Sequence, residues 1–597
     1  MGAESVFCRD LEIIQNKKAS PSEMVVTSGE SWKCPVYVRK LPPCRAECPS
    51  SEDIRGYLTV VARAEYQKKP VDEALDEAWY ILTDKNPLPA VHGRICPHPC
   101  EKGCNRQHKA DGAVAINAFE RAVGDHGLAR GLPLRKLTEE VKPQSVAVIG
   151  AGPSGLSCAY QLVRRGYPVT LFDAYEKPGG MLRYGVPSYR LPEEVLDGEI
   201  RKILDLGVNL RSNVKVGVDL PFRELRSEYD ALYVAIGAHR GVALNIPGED
   251  ASHVFAAADY LNRINSGVEI DLGNKVVVIG GGNSAIDVSL RMAHKDSGEE
   301  EQFDTESAQS VLDSARVSRR QGGAEVTILY RRTGAEMPAI EEEIVAAEKE
   351  GVRIEFLAAP VEIEVKNHRV AGVRCIRMEL GEPDSSGRRR PLPVEGSEFF
   401  IEATAVISGI GQLPDFAGDM KGLANEWGWG EVRKNGETNV EGVFAGGDVL
   451  GLGISTRSVG EGRKAALAID AYLHGREYRP LPKVRPIRER DLRLDYYPDA
   501  PRHEPPAQNV SDRVNGFQEI FGTLAPEDAV AEAGRCMSCG LCMSCGQCRI
   551  YCPRHAIRHD FSRPMGQVMF TDYTRCNGCH ICSYTCPCGY IEMGMGL

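Results

Sequence analysis

The stretch Ser145-Val-Ala-Val-Ile-Gly-Ala-Gly-Pro-Ser-Gly155 decides the fold of the central part of this chain. Four apolar residues in a row predict a buried strand, and the glycine-rich turn that follows leads into a helix beginning near Leu156. A second strand, Pro168–Phe172, ends in Asp173, eighteen residues past Gly155. Glycines allow a tight turn and close approach of a pyrophosphate, the helix N-terminus stabilises phosphate, and an acid at this place accepts from a ribose hydroxyl. The stretch therefore predicts a βαβ unit that binds a dinucleotide.

The same design recurs at Lys275–Ile279, which runs into Gly280-Gly-Gly-Asn-Ser-Ala285. The strand that follows, Val326–Tyr330, ends in Arg331 and Arg332 instead of an acid. A guanidinium at this place can pair with the 2′-phosphate of NADP, so these residues favour NADPH over NADH. Stacking on adenine is the alternative role. The sequence thus predicts a second dinucleotide site.

Composition and charge limit the class of protein. At roughly 150 residues per domain, 597 residues predict about four domains. The sequence contains no apolar run long enough to cross a bilayer. The charged N-terminal stretch lacks the apolar segment of a signal peptide, so we expect a cytoplasmic protein. A formal net charge of −11 repels phosphate backbones and disfavours nucleic acid as the main ligand.

Cysteines concentrate at the two ends of the chain, with only Cys158 and Cys375 in the middle. Near the C-terminus the spacing CxxCxxCxxxCP occurs twice, which is the pattern of bacterial ferredoxins. Each run gives three thiolates to one [4Fe-4S] cluster and its fourth to the other. The predicted ligand sets are Cys542, Cys545, Cys548 and Cys586 for one cluster, and Cys576, Cys579, Cys582 and Cys552 for the second. Zinc is the alternative, but it favours isolated CxxC pairs.

Two further strands end in small residues, at Tyr229–Gly237 and Glu441–Asp448, and a helical run follows the second. With these segments the sequence resembles the two-dinucleotide-binding flavoprotein family. The resemblance implies that the first fingerprint holds FAD, that the second holds NAD(P)H, and that the chain then returns to complete the FAD domain. It also implies that Asp448 contacts the ribityl-phosphate region of the flavin and that the following helix points its positive end at the isoalloxazine.

One branch of that family, the small subunit of glutamate synthase, is similar from about residue 40 to 475 and matches the stretch Pro178–Arg190. The resemblance implies hydride transfer from NAD(P)H to flavin N5, which needs stacking but no protein acid or base, so no catalytic side chain is predicted. The predicted cofactor-binding residues are Gly150, Gly152, Pro153, Ser154, Gly155, Asp173, Gly180, Arg190, Gly237, Gly280, Gly282, Asn283, Ser284, Arg331, Arg332, Gly411, Gly447, Asp448, Ser455 and Thr456.

Five more cysteines form two motifs with three-residue gaps, Cys44-x3-Cys48 and Cys96-x3-Cys100-x3-Cys104. These motifs are similar to those of the helical iron–sulfur domain of glutamate synthase small subunits and dihydropyrimidine dehydrogenase. The resemblance implies one cluster held by three of these cysteines and a carboxylate. The implied ligands are Cys48, Cys96, Cys100 and Glu120. The alternative for Glu120 is a helix-surface residue beside Arg121.

The chain departs from the family at the second N-terminal cluster. Relatives place a CxxC ahead of the position of Cys44 in a Glu-Ala-x-Arg-Cys-x-x-Cys context, which here occurs at Glu532–Cys539 instead. Counting thiolates leaves two half-sites, so we predict one more cluster that ties both ends of the chain together. Its predicted ligands are Cys44, Cys104, Cys536 and Cys539. Cys34 is the competing ligand, and an idle or zinc-binding extension at the second half-site is the other alternative.

These patterns predict an α/β protein with two Rossmann-like domains, for FAD and NAD(P), between an N-terminal α-helical iron–sulfur domain and a C-terminal ferredoxin-like α+β domain. The expected divisions are an iron–sulfur domain (1–143), the FAD domain in two parts (144–248 and 400–475), the NAD(P)H domain (249–399), a linker that wraps the body (476–535) and the ferredoxin-like domain (536–597).

The resemblance implies an NAD(P)H:acceptor oxidoreductase that carries FAD and four [4Fe-4S] clusters and exchanges electrons with a redox protein partner. Among relatives with this domain order, the iron–sulfur flavoprotein that serves dissimilatory sulfite reductase in sulfur oxidisers is similar. A glutamate synthase small subunit and a non-catalytic redox sensor or assembly subunit are the alternative functions. Whether the chain forms a homodimer is left open.

Overall fold

The computed structural model describes residues 11–13, 26–28, 31, 33–280, 303–322, 325–383, 388–480, 484–560, 566 and 569–595. The predicted nucleotide-binding residues Gly282, Asn283 and Ser284 lie outside this part of the chain. Among the helices that the structure describes, none has both the length and the apolar character that spanning a lipid bilayer requires.

The N-terminal region is mainly helical and packs around one apolar core. Its elements are β1 (Leu11–Ile13), β2 (Val26–Ser28), β3 (Lys33–Tyr37), α1 (Pro43–Glu47), α2 (Ile54–Ala62), α3 (Val71–Thr83), α4 (Pro89–Ile95), α5 (Pro99–Lys102) and α6 (Ile116–Ala129). Apolar residues recur every three to four positions along α3, which buries Leu75, Trp79 and Leu82 on one face. This face joins the same core as Tyr57 of α2 and Phe119 of α6, whose rings stack with centroids 5.8 Å apart.

The first fingerprint lies in a parallel sheet, as its sequence predicts. The elements of this unit are β4 (Val146–Ile149), α7 (Pro153–Val163), β5 (Val169–Phe172), α8 (Met181–Tyr184), α9 (Glu193–Leu204), β6 (Asn209–Arg211), α10 (Phe222–Glu228) and β7 (Ala231–Val234). All four residues of β4 are buried. Gly150 follows β4 with φ +108°, and a Cβ there would lie 2.2 Å from the carbonyl oxygen of Ala235. Only glycine fits this turn.

The inserted unit contains a second parallel sheet and an antiparallel one. Its elements are β8 (Arg240–Gly241), β9 (Val254–Ala256), α11 (Ala257–Asn265), β10 (Lys275–Gly280), α12 (Phe303–Arg320), β11 (Glu325–Tyr330), α13 (Glu341–Lys349), β12 (Val352–Phe356), β13 (Ala358–Lys366), β14 (Arg369–Pro383), β15 (Arg389–Pro393), β16 (Phe399–Glu402), β17 (Ala405–Gly409) and β18 (Gln412–Leu413). The parallel sheet has the order β12-β11-β10-β17-β9. The antiparallel sheet has the order β13-β14-β15, with β16 also pairing with β14.

The chain then returns to the first sheet through β19 (Val443–Ala445) and α14 (Ser455–Leu473). The complete order of that sheet is β19-β7-β4-β5-β6, with every pair parallel. Helix α14 packs against α7, so the first and last parts of this unit form one core. The carboxyl ends of the central strands therefore face the start of α14.

The C-terminal region is joined to the N-terminal region by a strand pair. Its elements are α15 (Val510–Arg513), α16 (Pro526–Gly534), α17 (Gln547–Ile550), β20 (Ile557–His559), β21 (Met569–Thr571), α18 (Ile581–Tyr584) and β22 (Ile591–Met595). Strand β22 pairs antiparallel with β3, from Ile591 opposite Tyr37 to Met595 opposite Lys33. Short 3₁₀ helices lie at Asn105–His108, Gly334–Glu336, Gly418–Leu423, Glu489–Asp491 and Leu494–Tyr496.

The segment predicted as a linker is bound along the N-terminal helices. Arg502 pairs with Glu101 at 2.8 Å and also donates to the carbonyl of Ala113. Its last part differs from the prediction, because residues 526–534 form helix α16 and bury Ala529 and Ala533 in the N-terminal core. Small side chains allow this close packing while adding little hydrophobic pattern to the sequence. Helix α16 therefore belongs to the N-terminal packing.

Candidate dinucleotide cleft and cysteine sites

A cleft of about 430 Å³, open to solvent, lies where β4, β5 and β7 end. Ligands bind at this edge of parallel sheets because the loops there leave a crevice. The predicted cofactor-binding residues that line it are Gly150, Gly152, Pro153, Ser154, Asp173, Gly180, Arg190, Gly237, Gly447, Asp448 and Ser455. A Cβ at Gly180 would lie 2.8 Å from the Cα of Gly152, so two loops meet here as bare backbone. These residues fit a dinucleotide such as FAD.

Six predicted cofactor-binding residues within the described ranges do not line the cleft: Gly155, Gly280, Arg331, Arg332, Gly411 and Thr456. Gly155 lies in the first turn of α7, and Gly280 ends β10 in the inserted unit. The carbonyl of Gly411 accepts a hydrogen bond from the N–H of Val242 at 3.0 Å. Thr456 is buried, and its hydroxyl has no hydrogen-bond partner within the described ranges.

The carboxylate of Asp173 is held in place by two backbone N–H groups, one of them in the glycine-rich turn after β4. Its Oδ2 accepts from the N–H of Ala151 at 2.6 Å, and its Oδ1 accepts from the N–H of Tyr175 at 2.8 Å. Burial raises the pKa of Asp173, although the two N–H donors oppose that rise. Each oxygen keeps a lone pair on the cleft side, so the carboxylate can still accept from a hydroxyl.

Asp448 lies at the opposite wall, next to the start of α14. Its Oδ1 accepts from Oγ of Ser458 at 3.2 Å. Burial raises the pKa of Asp448 to about 7, while Arg457 opposes the rise. Helix α14 begins at Ser455, which lines the cleft. Because a helix N-terminus carries partial positive charge, this end of the cleft favours an anionic group.

The three predicted cofactor-binding arginines differ in their burial and in the protein groups that they contact. Arg190 lines the cleft but forms a buried ion pair with Asp313 of α12 at 2.6 Å. Arg332 is fully buried, and its Nε donates to the carbonyl of Arg389 at 2.9 Å. Arg331 is partly exposed. Arg331 is therefore the less buried of the two arginines that follow β11.

Three cysteines and one glutamate meet beside the cleft, and we name them the glutamate site. They are Cys48, Cys96, Cys100 and Glu120. Burial raises the pKa of the Cys100 thiol well above its usual value, and the other three groups raise it further. Ile95 and Pro97, on either side of Cys96, line the cleft itself. The glutamate site is therefore next to the cleft.

Glu120 is a buried residue, so the helix-surface alternative is wrong. It is 6% exposed, and burial raises its pKa well above the ordinary value. Its Oε1 accepts from Nδ2 of Asn86 at 2.9 Å. Arg121 turns away, to the carbonyl of Phe521 and the carboxylate of Glu519.

Four cysteines from the two ends of the chain also meet, and we name them the shared site. They are Cys44, Cys104, Cys536 and Cys539. Burial raises the pKa of Cys44, and the other three thiols raise it further. Nδ2 of Asn105 lies 3.6 Å from the sulfur of Cys539. The competing Cys34 lies instead in β3. Burial raises the pKa of Tyr573, and Cys34 and Cys576 raise it further, so Cys34 is near the second ferredoxin set.

The two ferredoxin-type sets each line a small cavity. One cavity is lined by Cys542, Cys545, Cys548 and Cys586, and the other by Cys552, Cys576, Cys579 and Cys582. The first also has Cys588 on its wall, with sulfur 3.7 Å from that of Cys586. In the part of the chain that the structure describes, no three Cys, His, Asp or Glu side chains are arranged to enclose a single metal ion.

Comparison with known families identifies the body of the chain. The model of the pyridine nucleotide-disulphide oxidoreductase family matches residues 144–474, which is more than half of the sequence. This chain belongs to that family. A second model, dihydropyrimidine dehydrogenase domain II with its 4Fe-4S cluster, matches residues 17–132. That match includes every residue of the glutamate site.

Curated relatives of this pyridine nucleotide-disulphide oxidoreductase include subunits of several redox enzymes. The beta subunit of the NADP(+)-dependent formate dehydrogenase of Moorella thermoacetica is 36% identical, over an alignment that covers 83% of this chain and 70% of that subunit. The beta subunit of the NADPH-Fe(3+) oxidoreductase of Geobacter sulfurreducens is 34% identical, covering 83% and 75%. The small chain of the NADPH glutamate synthase of Azospirillum brasilense is 32% identical, covering 74% and 88%.

These matches confirm the predicted fold class and the resemblance to glutamate synthase small subunits. The chain is an oxidoreductase with a pyridine-nucleotide and flavin type of body and a 4Fe-4S cluster domain.

Sequence reasoning missed a chain of hydrogen bonds that links the cleft of this family member to the glutamate site. Oγ of Ser455 donates to Nε2 of His92 at 2.9 Å, and Nδ1 of His92 donates to Oδ1 of Asn86 at 2.9 Å. Asn86 in turn donates to Glu120. Burial lowers the pKa of His92 to about 3, so the imidazole is neutral. Single residues without a spacing motif give no signal for such a chain.

Proposed function

We propose that this oxidoreductase accepts electrons from NADPH and passes them singly through four [4Fe-4S] clusters to a redox protein partner. FAD, when bound in the cleft, converts a two-electron hydride into single electrons. The residues of the chain bind and orient the nucleotides and hold the clusters in order. This order determines the route along which an electron can travel.

The observation that carries the proposal is that consecutive ligand sets share short segments of chain. The joining pairs are Cys44 with Cys48, Cys100 with Cys104, Cys539 with Cys542, and Cys548 with Cys552. The first two pairs connect the glutamate site to the shared site, the third connects the shared site to the first ferredoxin set, and the last connects the two ferredoxin sets. Since the glutamate site adjoins the cleft, the four sets form one series. It leads from the cleft through the glutamate site and the shared site to the two ferredoxin sets.

Tyr497 supports the step from the shared site to the first ferredoxin set. It is 7% exposed, and its hydroxyl donates to the carbonyl of Met537 at 2.8 Å. Burial raises its pKa, and thiols of both sets raise it further, including Cys539 and Cys586. Its ring packs in one small core with Cys539 of the shared site and with Met543, which lines the cavity of the first ferredoxin set.

The proposed exit to the partner is the surface around the end of α17, between Cys548 and Cys552. Ile550 is 63% exposed and Tyr551 is 40% exposed. Residues 541 to 597 contain five arginines and three acidic residues, a net charge of +2 in a chain whose net charge is −11. An exposed apolar pair on a basic segment favours a partner with an acidic surface around its own cofactor.

Dissimilatory sulfite reductase stays a prediction from the sequence resemblance, and a glutamate synthase large chain is the second candidate because of the Azospirillum brasilense relative. Affinity capture by the full chain under anaerobic conditions distinguishes the two partners. The charge-reversal variant Arg549→Glu, Arg554→Glu is the control, since both side chains are exposed. The proposal requires that the native chain captures a redox protein and that this variant captures much less.

The function itself is tested by anaerobic mixing of the reconstituted protein with NADPH. We expect bleaching of the flavin absorbance first and cluster EPR signals afterwards, with about four clusters' worth of iron per chain. Glu120→Ala should remove about one cluster's iron, whereas the exposed control Glu73→Ala should remove none. Flavin bleaching without any reduced cluster would contradict the proposed route.

A further inference from the structure

A buried arginine faces the thiols of the shared site. Arg55, in the first turn of α2, is 2% exposed. Its Nη1 donates to the carbonyl of Lys40 at 3.0 Å and to the carbonyl of Cys539. Burial raises the pKa values of the Cys44, Cys536 and Cys539 thiols, and Arg55 opposes the rise at all three. The guanidinium is thus directed at the shared site from one side.

The position of Arg55 is unfavourable unless the shared site carries negative charge. A cation in the first turn of a helix opposes the helix dipole, and a buried guanidinium needs a counter-charge. Asp53 faces Arg55, but it is partly exposed and pairs with Arg39 at 3.7 Å and Arg45 at 3.9 Å. Across the described ranges, Nε of Arg55 has no hydrogen-bond acceptor.

Two other arginines near the shared site have acidic partners. Arg106 pairs with Asp111, and Arg535 pairs with Glu532 at 2.5 Å. Arg535 opposes the raised pKa of Cys104, and Arg106 opposes that of Cys536. Because a carboxylate touches each of these guanidinium groups, their fields at the thiols are partly cancelled. The field of Arg55 is not cancelled in this way.

We propose that Arg55 raises the reduction potential of the cluster at the shared site. This inference rests on the proposed function, in which the four thiolates of that site hold a [4Fe-4S] cluster. Such a cluster is negatively charged and becomes more negative by one unit when it takes up one electron, with no bond formed or broken. A cation buried beside it stabilises the reduced form more than the oxidised form, because the surrounding dielectric is low. Arg55 is therefore a tuning residue between the flavoprotein body and the ferredoxin sets.

The test is an EPR-monitored titration of the anaerobic full-length protein with dithionite. The signal of the shared cluster is the one lost in the Cys536→Ser, Cys539→Ser variant. At a fixed potential, Arg55→Gln should lower the reduced-to-oxidised ratio of this cluster about tenfold, which is a midpoint shift of about 59 mV for one electron. Arg55→Lys keeps the charge and should shift the ratio by less than about threefold. The signal of the glutamate site should not move in either variant.

Arg39→Gln is the matched control, because it removes the same charge from a side chain that is 58% exposed beside the same Asp53. Screening by water and salt predicts almost no shift in this variant. A second variant, Asp53→Asn, leaves the hydrogen bonds of Arg55 intact and should raise the ratio, even if Arg55→Gln loses its cluster. An unchanged ratio in Arg55→Gln, equal shifts in Arg55→Gln and Arg55→Lys, or a lowered ratio in Asp53→Asn would overturn the inference. If no signal depends on Cys536 and Cys539, the proposed function is wrong instead.

Discussion

His92 is a buried imidazole whose two ring nitrogens both form hydrogen bonds, to Ser455 and Asn86. Burial lowers its pKa from 6.5 to about 3. The unfolded chain takes up a proton near pH 6.5 and the folded protein does not. His92 therefore lowers the free energy of unfolding as the pH falls from 6.5 towards 3, by at most about 1.4 kcal/mol per pH unit.

This linkage predicts how His92→Gln behaves. The variant loses hydrogen bonds at every pH, but it also loses the acid sensitivity of the imidazole. The difference in Tm between the native protein and the variant should therefore narrow between about pH 7.5 and about pH 5. A constant difference in His92→Gln would show that burial does not suppress protonation.

Arg331 carries the prediction of nucleotide preference, because Arg332 is fully buried. If Arg331 pairs with the 2′-phosphate of NADPH, Arg331→Gln should lower kcat/KM for NADPH about tenfold and leave kcat/KM for NADH nearly unchanged. Steady-state reduction of an artificial acceptor measures both values. Arg353→Gln, at a side chain that is 72% exposed on β12, is the control. A native protein that strongly prefers NADH would contradict the assignment.

The sequence predicts a residue well when the chemistry demands a fixed spacing. Gly150 and the ferredoxin-type cysteines belong to such patterns, and the structure brings them to a cleft and to small cavities. Arg55 and His92 act through contacts between distant segments. Arg55 bonds to a carbonyl 484 residues away, and His92 bonds to a hydroxyl 363 residues away. No local pattern records such contacts.

At the scale of elements, the pairing of β3 with β22 joins the two ends of the chain. The N–H of Val38 extends this pairing by donating to the carbonyl of Tyr590 at 3.0 Å. Val38→Pro removes the donor and restricts the backbone, so it should lower the free energy of unfolding by about 1 to 3 kcal/mol. Thermal unfolding of the holo protein measures the loss.

Val38→Ala keeps the N–H and is the matched control for this prediction. It should cost clearly less than Val38→Pro, because the side chain is only partly buried. Limited proteolysis adds a second measurement, since the proline variant should expose residues 569–595 to cleavage before the body is cut. Equal stability of the two variants would show that this strand pair contributes little.

The elements of the fingerprint were predictable, whereas those that connect the two ends were not. Strands β4 and β5 lie within one residue of their predicted bounds, because buried apolar runs and glycine turns define them. Strand β3 has five residues and finds its partner only at the far end of the sequence. Helix α16 lies in a segment rich in proline and charge, which predicts an extended linker. Its two buried alanines carry too little hydrophobic signal to contradict that prediction.

At the scale of the whole molecule, both ends of the chain meet at the shared site. The contact of Arg55 with the carbonyl of Cys539 lies at this site. The pairing of β3 with β22 and the packing of α16 on the N-terminal core also join the two ends. Metal bound at such a site would stabilise both ends together, because its ligands come from both. The ferredoxin sets would then be held at a fixed distance from the cleft instead of moving on a free linker.

The most direct test of this account is the Cys536→Ser, Cys539→Ser variant, purified anaerobically and analysed for iron and by EPR. The account predicts loss of about one cluster's iron, retention of both ferredoxin signals and of the signal from the glutamate site, and slower transfer of electrons from the flavin to the ferredoxin sets. Cys34→Ser, in which the competing cysteine is replaced, should keep all of the iron. Survival of all four clusters in the double variant, or loss of the cluster in Cys34→Ser instead, would contradict the shared site.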